Sequence, residues 1–153
     1  KSGLFLCAGA IIFRTGKRQV SKLKGIGKEM PVAIGCMTLL SLALIGIPPA
    51  SGFVSKWYLA EGALASDTGI FSWLGPVVLL LSALLTAGYL LPIPLKGFFP
   101  GEEEEKTGFE KKEVDSVMLV PLLILAILAV VLGMFPGGLL SCIAGITGQL
   151  FTA

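Results

Sequence analysis

Charge is missing from three long stretches of this 153-residue chain, between Glu29 and Lys56, between Asp67 and Lys96, and beyond Asp115. Almost every ionisable residue is crowded into the segments that join them, the pattern of loops between membrane spans. Only 14% of residues are charged and 54% are hydrophobic, and the mean hydropathy is +0.88. A soluble domain usually carries about a quarter charged residues, so a single soluble core would leave wide apolar patches in water. The reading is an all-α, polytopic transmembrane helix bundle, a single membrane domain over residues 1–153. A net charge of +2 is too small to argue for nucleic acid. There is no histidine, which removes the commonest metal ligand. Cys7, Cys36 and Cys142 are far apart with no CxxC spacing, and read as small buried hydrophobes. No metal and no cofactor is expected.

The chain opens at Lys1 without Met or a charged n-region, so a signal peptide is not expected there. Instead it enters an apolar stretch, 2–13, too short for the roughly 20 residues of a crossing, which reads as an interfacial helix or a truncated span. A basic loop, 14–31, follows with Arg14, Lys17, Arg18, Lys22, Lys24 and Lys28 against Glu29. Gly16, Gly25 and Gly27 keep parts of it non-helical, and Pro31 suits a first helical turn. The second span, 32–64, is broken within Gly46-Ile47-Pro48-Pro49-Ala50-Ser51-Gly52. Consecutive prolines remove two backbone donors and push the preceding residue out of helical geometry. This predicts a helix to about residue 46, an irregular link, and a second half-helix over 53–64.

A third span is expected over 73–95, with Pro92 and Pro94 loosening its exit. The loop 96–116 holds Glu102-Glu103-Glu104-Glu105 and reads as solvated, since its spacing lacks the glycine-pinned geometry of a calcium loop. A fourth span covers 117–135, terminated by Gly133, Pro136, Gly137 and Gly138. The uncharged tail, 139–153, reads as interfacial or as the start of another helix. The architecture is therefore one partial and three full spans. The two basic loops belong in the cytoplasm by the positive-inside rule, with 65–72 and the C-terminus outside a cell inner (plasma) membrane.

Lys56 stands directly after the proline break and away from both basic loops. A lysine at the centre of a membrane helix costs about 2.5–3.5 kcal/mol on insertion scales, so it should face the bundle interior. Desolvation disfavours an ammonium's charged form, which is how buried lysines come to carry protons. The competing reading has Lys56 snorkelling to the outer interface beside Trp57 and Tyr58. The helix break favours transport, because freed carbonyls and half-helix ends build the ion sites of transporters. Glu61, about 140° further round the helix, shares no face with Lys56. It reads as a membrane-edge residue or a proton exit point. Ser51 and Ser55 either bond their local backbone or hold water near Lys56.

The segments Lys1-Ser2-Gly3-Leu4-Phe5-Leu6-Cys7-Ala8-Gly9-Ala10-Ile11-Ile12 and Leu23-Lys24-Gly25-Ile26-Gly27-Lys28-Glu29-Met30-Pro31 precede Leu44-Ile45-Gly46-Ile47-Pro48-Pro49-Ala50-Ser51-Gly52-Phe53-Val54-Ser55-Lys56. In order and spacing they resemble the antiporter-like membrane subunits of proton-pumping NADH:quinone oxidoreductase (complex I), Mrp-type sodium/proton antiporters and membrane-bound hydrogenases. The resemblance covers residues 1–64; the remainder matches as hydrophobic spans of the right order. It implies that the chain is the C-terminal part of a larger subunit, with other membrane subunits of a multisubunit complex as partners. It also implies that Lys56 is the central ionisable residue of a broken helix on the proton exit route. Lys1 would belong to the hydrophilic axis, although the histidine four positions upstream in the family motif has no counterpart here. The expected cargo is protons, or sodium in the antiporter branch. No motif for NADH, flavin, iron–sulfur or quinone is present, so no catalytic site of its own is expected. Two other readings stay open at this point: a structural membrane subunit without an ion path, and an unrelated small carrier.

Overall fold

The computed structural model describes residues 1–66, 69–99 and 113–151. Among them every regular element is helical: α1 (Ser2–Thr15), a 3-10 turn (Val20–Lys22), α2 (Ile26–Glu29), α3 (Pro31–Ile45), α4 (Ser51–Ala65), α5 (Ile70–Leu90), α6 (Pro92–Phe98), α7 (Ser116–Met134) and α8 (Gly137–Phe151). Asp67 and the acidic run Glu102–Glu105 lie outside the described residues.

Each boundary has a local cause. Gly16 ends α1 in the left-handed conformation (φ 68°), and its N–H closes on the Ile12 carbonyl. Pro31 begins α3, where its missing N–H has no intrahelical partner to lose. Gly46, also left-handed at φ 89°, stops α3. Pro92 then starts a separate short helix instead of merely loosening the end of the third span. The expected span 73–95 is thus α5 plus α6, with α5 beginning at Ile70. The tail forms α8.

Among the described residues, two segments are long and apolar enough to cross a membrane, Ile70–Phe98 and Ser116–Met134, while Ser2–Thr15 and Pro31–Ile45 are shorter apolar helices. The outward faces of α5 and α7 carry exposed large hydrophobics, among them Leu80, Leu84, Val117 and Ile127. In water that surface would be unsupportable; against lipid it is ordinary. The fold is a membrane helical bundle.

The tight core lies where α1, α2, α3 and α7 meet, around Cys7, Ile11, Ile26, Met30, Ile34 and Leu122. Lys96 meets the basic 14–31 segment. The Gly25 N–H donates to the Lys96 carbonyl at 3.2 Å. Gly27 is inside α2, not in irregular chain, and a Cβ there would fall 2.9 Å from the Gly97 carbonyl oxygen. Its missing side chain therefore permits close packing of α2 on α6. Cys7 and Cys36 are buried free thiols, as read, whereas Cys142 is exposed on α8.

Candidate functional site at the helix break

The last turn of α3 leaves main-chain carbonyls without helical partners. Gly46 and Ile47 N–H groups both donate to the Leu42 carbonyl, at 3.0 and 3.1 Å. The Leu44 and Ile45 carbonyls are instead taken by the Lys56 ammonium, whose Nζ donates to Ile45 O at 2.6 Å and to Leu44 O at 3.4 Å. Lys56 thus reaches back across the break to the end of α3. A cation at a helix C-terminus also meets the negative end of the helix dipole, typically worth 0.3–1 kcal/mol and about 2 kcal/mol in partly buried geometry. The shorter contact is charge-assisted and the stronger of the two.

Three glycines make this approach possible. Besides turning the chain, Gly46 leaves room for the lysine stem: a Cβ there would stand 2.8 Å from Lys56 Cδ. Gly52, in the first turn of α4, lies flat on α3, and a Cβ would collide with the Ala43 carbonyl oxygen. Gly133 of α7 packs flush against the Pro49–Ser51 link, where a Cβ would collide with the Pro49 carbonyl oxygen. Gly133 sits inside α7, which continues to Met134, so it serves close packing and not termination. The Pro48–Pro49 bond in the link is cis.

Lys56 also borders a hollow of about 300 Å³ between α4 and α5, with Gly46, Phe53, Trp57, Ala60 and Pro76 among its walls. Trp57 and Ala60 continue into a second hollow of about 270 Å³ lined by Glu61 and Leu64. Glu61 itself is exposed. The two residues that share no helix face therefore open onto adjoining concavities. Ser55 Oγ donates to the Ser51 carbonyl at 3.5 Å, a long bond on α4's own backbone. Neither serine bonds Lys56 among the described residues, and no side chain caps the start of α4.

Lys1 stands at the start of α1 and lines a cavity of about 470 Å³ with Leu4, Phe5, Ala8, Leu44, Tyr89 and Leu90. Lys1 and Lys56 line different hollows. Leu44 connects the two, lining the Lys1 cavity while its carbonyl accepts from Lys56. Sequence reasoning missed two participants, Gly133 and Glu113. The Glu113 carboxylate accepts from the Val32 N–H at 3.1 Å and the Ala33 N–H at 3.4 Å, at the opposite end of α3. Nothing local in the sequence signals either contact, because the partners are far away along the chain. Among the described residues no cluster of His, Cys, Asp or Glu could hold a metal ion.

The family described as "NADH:quinone oxidoreductase/Mrp antiporter, TM" matches residues 1–98. The NADH-quinone oxidoreductase subunit N of Desulforudis audaxviator is 38% identical over 145 residues, covering 88% of this chain and 28% of that protein. The Na(+)/H(+) antiporter subunit A1 of Staphylococcus aureus is 34% identical over 143 residues, covering 90% of this chain and 18% of that protein. The chain thus spans less than a third of the length of these relatives. The family match runs through the break, Lys56 and both short apolar helices. The chain belongs to the NADH:quinone oxidoreductase/Mrp antiporter transmembrane family.

Proposed function

We propose that the chain is the C-terminal part of a proton-translocating membrane subunit, with Lys56 on the proton exit path. The complex would be NADH:quinone oxidoreductase-like or a multisubunit cation/proton antiporter. The observation that carries the reading is the Lys56 ammonium clasped by α3's terminal carbonyls across the break. In its charged form Lys56 is held by two carbonyl dipoles. On losing its proton it keeps N–H donors but loses the charge that makes the clasp strong. Proton release therefore loosens the joint between α3 and α4, and reprotonation closes it. A change in charge on a neighbouring subunit acts strongly on such a group because the surrounding dielectric is low.

The path runs from the Lys1 cavity, past Leu44, to Lys56, and outward through the adjoining hollows toward Glu61. In this reading α1 is the end of one span, α3 and α4 together form a broken second, α5 with α6 a third, and α7 a fourth. The basic end is cytoplasmic, and the membrane is the plasma membrane. The driving event, electron transfer or a counter-ion gradient, lies in partner subunits, as the subunit names of the relatives suggest. Sodium is the alternative cargo in the antiporter branch.

Replacing Lys56 with Ala in the full complex, followed by proton uptake into inverted vesicles, tests this. Translocation is expected to vanish while the subunit still assembles. The same clasp also supports a purely structural role, since Lys56 staples two half-helices. Under that reading Lys56→Ala leaves translocation per assembled complex unchanged and lowers the thermal stability of the complex. The unrelated-carrier reading falls with the family assignment.

A further inference from the structure

The helix that presents its carbonyls to Lys56 has no charged residue of its own. Its N-terminus lacks a local side-chain cap, since Met30 supplies none and Pro31 has no N–H. The next two donors, Val32 and Ala33, both go to the Glu113 carboxylate, 80 or more residues further along the chain. Opposite charges therefore sit at the two poles of α3, a carboxylate at the positive end and an ammonium at the negative end.

Both charges are tied to elements that α7 controls. Glu113 adjoins Val114, which is buried in the α1–α3–α7 core, and its Oε1 accepts the Val114 N–H at 3.4 Å. At the far end of α7, Gly133 packs on the Pro49–Ser51 link that leads into the Lys56 helix. So α7 and the segment that leads into it, Glu113 to Asp115, bracket α3 at both ends. The nearby acid Glu29 pairs with Lys17 at 3.8 Å instead of capping α3. A rigid helix of this length, about 1.5 Å of rise per residue, transmits any axial slip at its start to the carbonyls at its end. A slip of one ångström is enough to break a 2.6 Å contact to Ile45.

We infer that Glu113 is a positioning residue for Lys56: by pinning the N-terminus of α3 it sets where the Leu44 and Ile45 carbonyls meet the ammonium. This deepens the proposed function and rests on it for its consequence in transport, but its structural content is independent. The test is hydrogen exchange by mass spectrometry on the full-length subunit in its native membrane complex, comparing wild type, Glu113→Gln and Glu113→Asp. Glu113→Gln keeps the size of the side chain and removes its charge. Exchange is expected to quicken about threefold at Val32 and Ala33, and also at Gly46 and Ile47 beyond the far end of α3. Glu113→Asp, which restores the charge, is expected to restore protection at both ends and the translocation rate with it. Quickening confined to residues 32–36 would make Glu113 a local cap and overturn the inference. If Glu113→Gln loosens Gly46 and Ile47 while Lys56→Ala leaves translocation intact, the positioning holds and the proton-path reading is the one that fails.

Discussion

The two halves of the broken helix are built to different standards of packing. On α3, Ala33, Ile34, Cys36, Met37, Ser41 and Ile45 are buried. On α4 no residue is buried, and Trp57, Tyr58 and Leu59 are exposed by 61%, 51% and 63%. Yet the ionisable residue belongs to the loose half and its carbonyl partners to the tight one. On the proposed proton path Lys56 gains and loses a proton, which needs an environment that tolerates both states. Its partners must stay where they are, because a carbonyl dipole displaced by an ångström no longer stabilises a charge. The hollow that borders Lys56 lies on the α4 and α5 side of the break, while α3 supplies Ala33, Ile34, Cys36 and Met37 to the core.

That contrast can be broken by substitution. Truncation on the tight half, Ile34→Ala, is expected to cost about 2–5 kcal/mol through the cavity it leaves. Val54→Ala on the loose half is expected to cost less than about 1 kcal/mol. Thermal unfolding of the purified complex reads both, and equal losses would erase the distinction. Next in size, Gly133→Ala drives a methyl group into the Pro49–Ser51 link and is expected to cost about 1–3 kcal/mol and to slow translocation. Gly62→Ala on α4, where nothing lies within 4 Å, serves as the control and is expected to be near neutral. Smallest is Glu61→Gln, which alters the exposed hollow beyond Lys56. Translocation is expected to slow about twofold with no change in melting temperature beyond the roughly 0.5 kcal/mol typical of surface changes. A complete block would move the essential site outward from Lys56.

The break and Lys56 were legible because they violate the pattern around them. Two consecutive prolines after a left-handed glycine interrupt the helix, whereas the single Pro76 and Pro121 sit inside α5 and α7. One charge in an apolar stretch demands a partner. The end of the first half-helix followed from Gly46, whereas the second half-helix begins at Ser51, two residues earlier than the expected 53, and takes Gly52 into its first turn. What Gly133 and Glu113 do was not legible. Gly133 reads as a stop signal when only its neighbours Pro136 and Gly137 are considered, and its real role depends on contact with Pro49. Glu113 reads as one more charge in a solvated loop, and only tertiary packing places it on α3. Cys142 shows the same limit: an apolar neighbourhood in sequence does not fix which side of a helix is covered.

Lys56→Arg separates the proton carrier from the staple most directly. Arginine keeps the positive charge and the donors that hold the Leu44 and Ile45 carbonyls, but it does not release a proton in proteins. Assembly and stability of the complex are expected to stay close to wild type, while proton translocation in inverted vesicles falls to background. Translocation at the wild-type rate with arginine in place would show that the residue at position 56 only fastens the break, contradicting its place on a proton path.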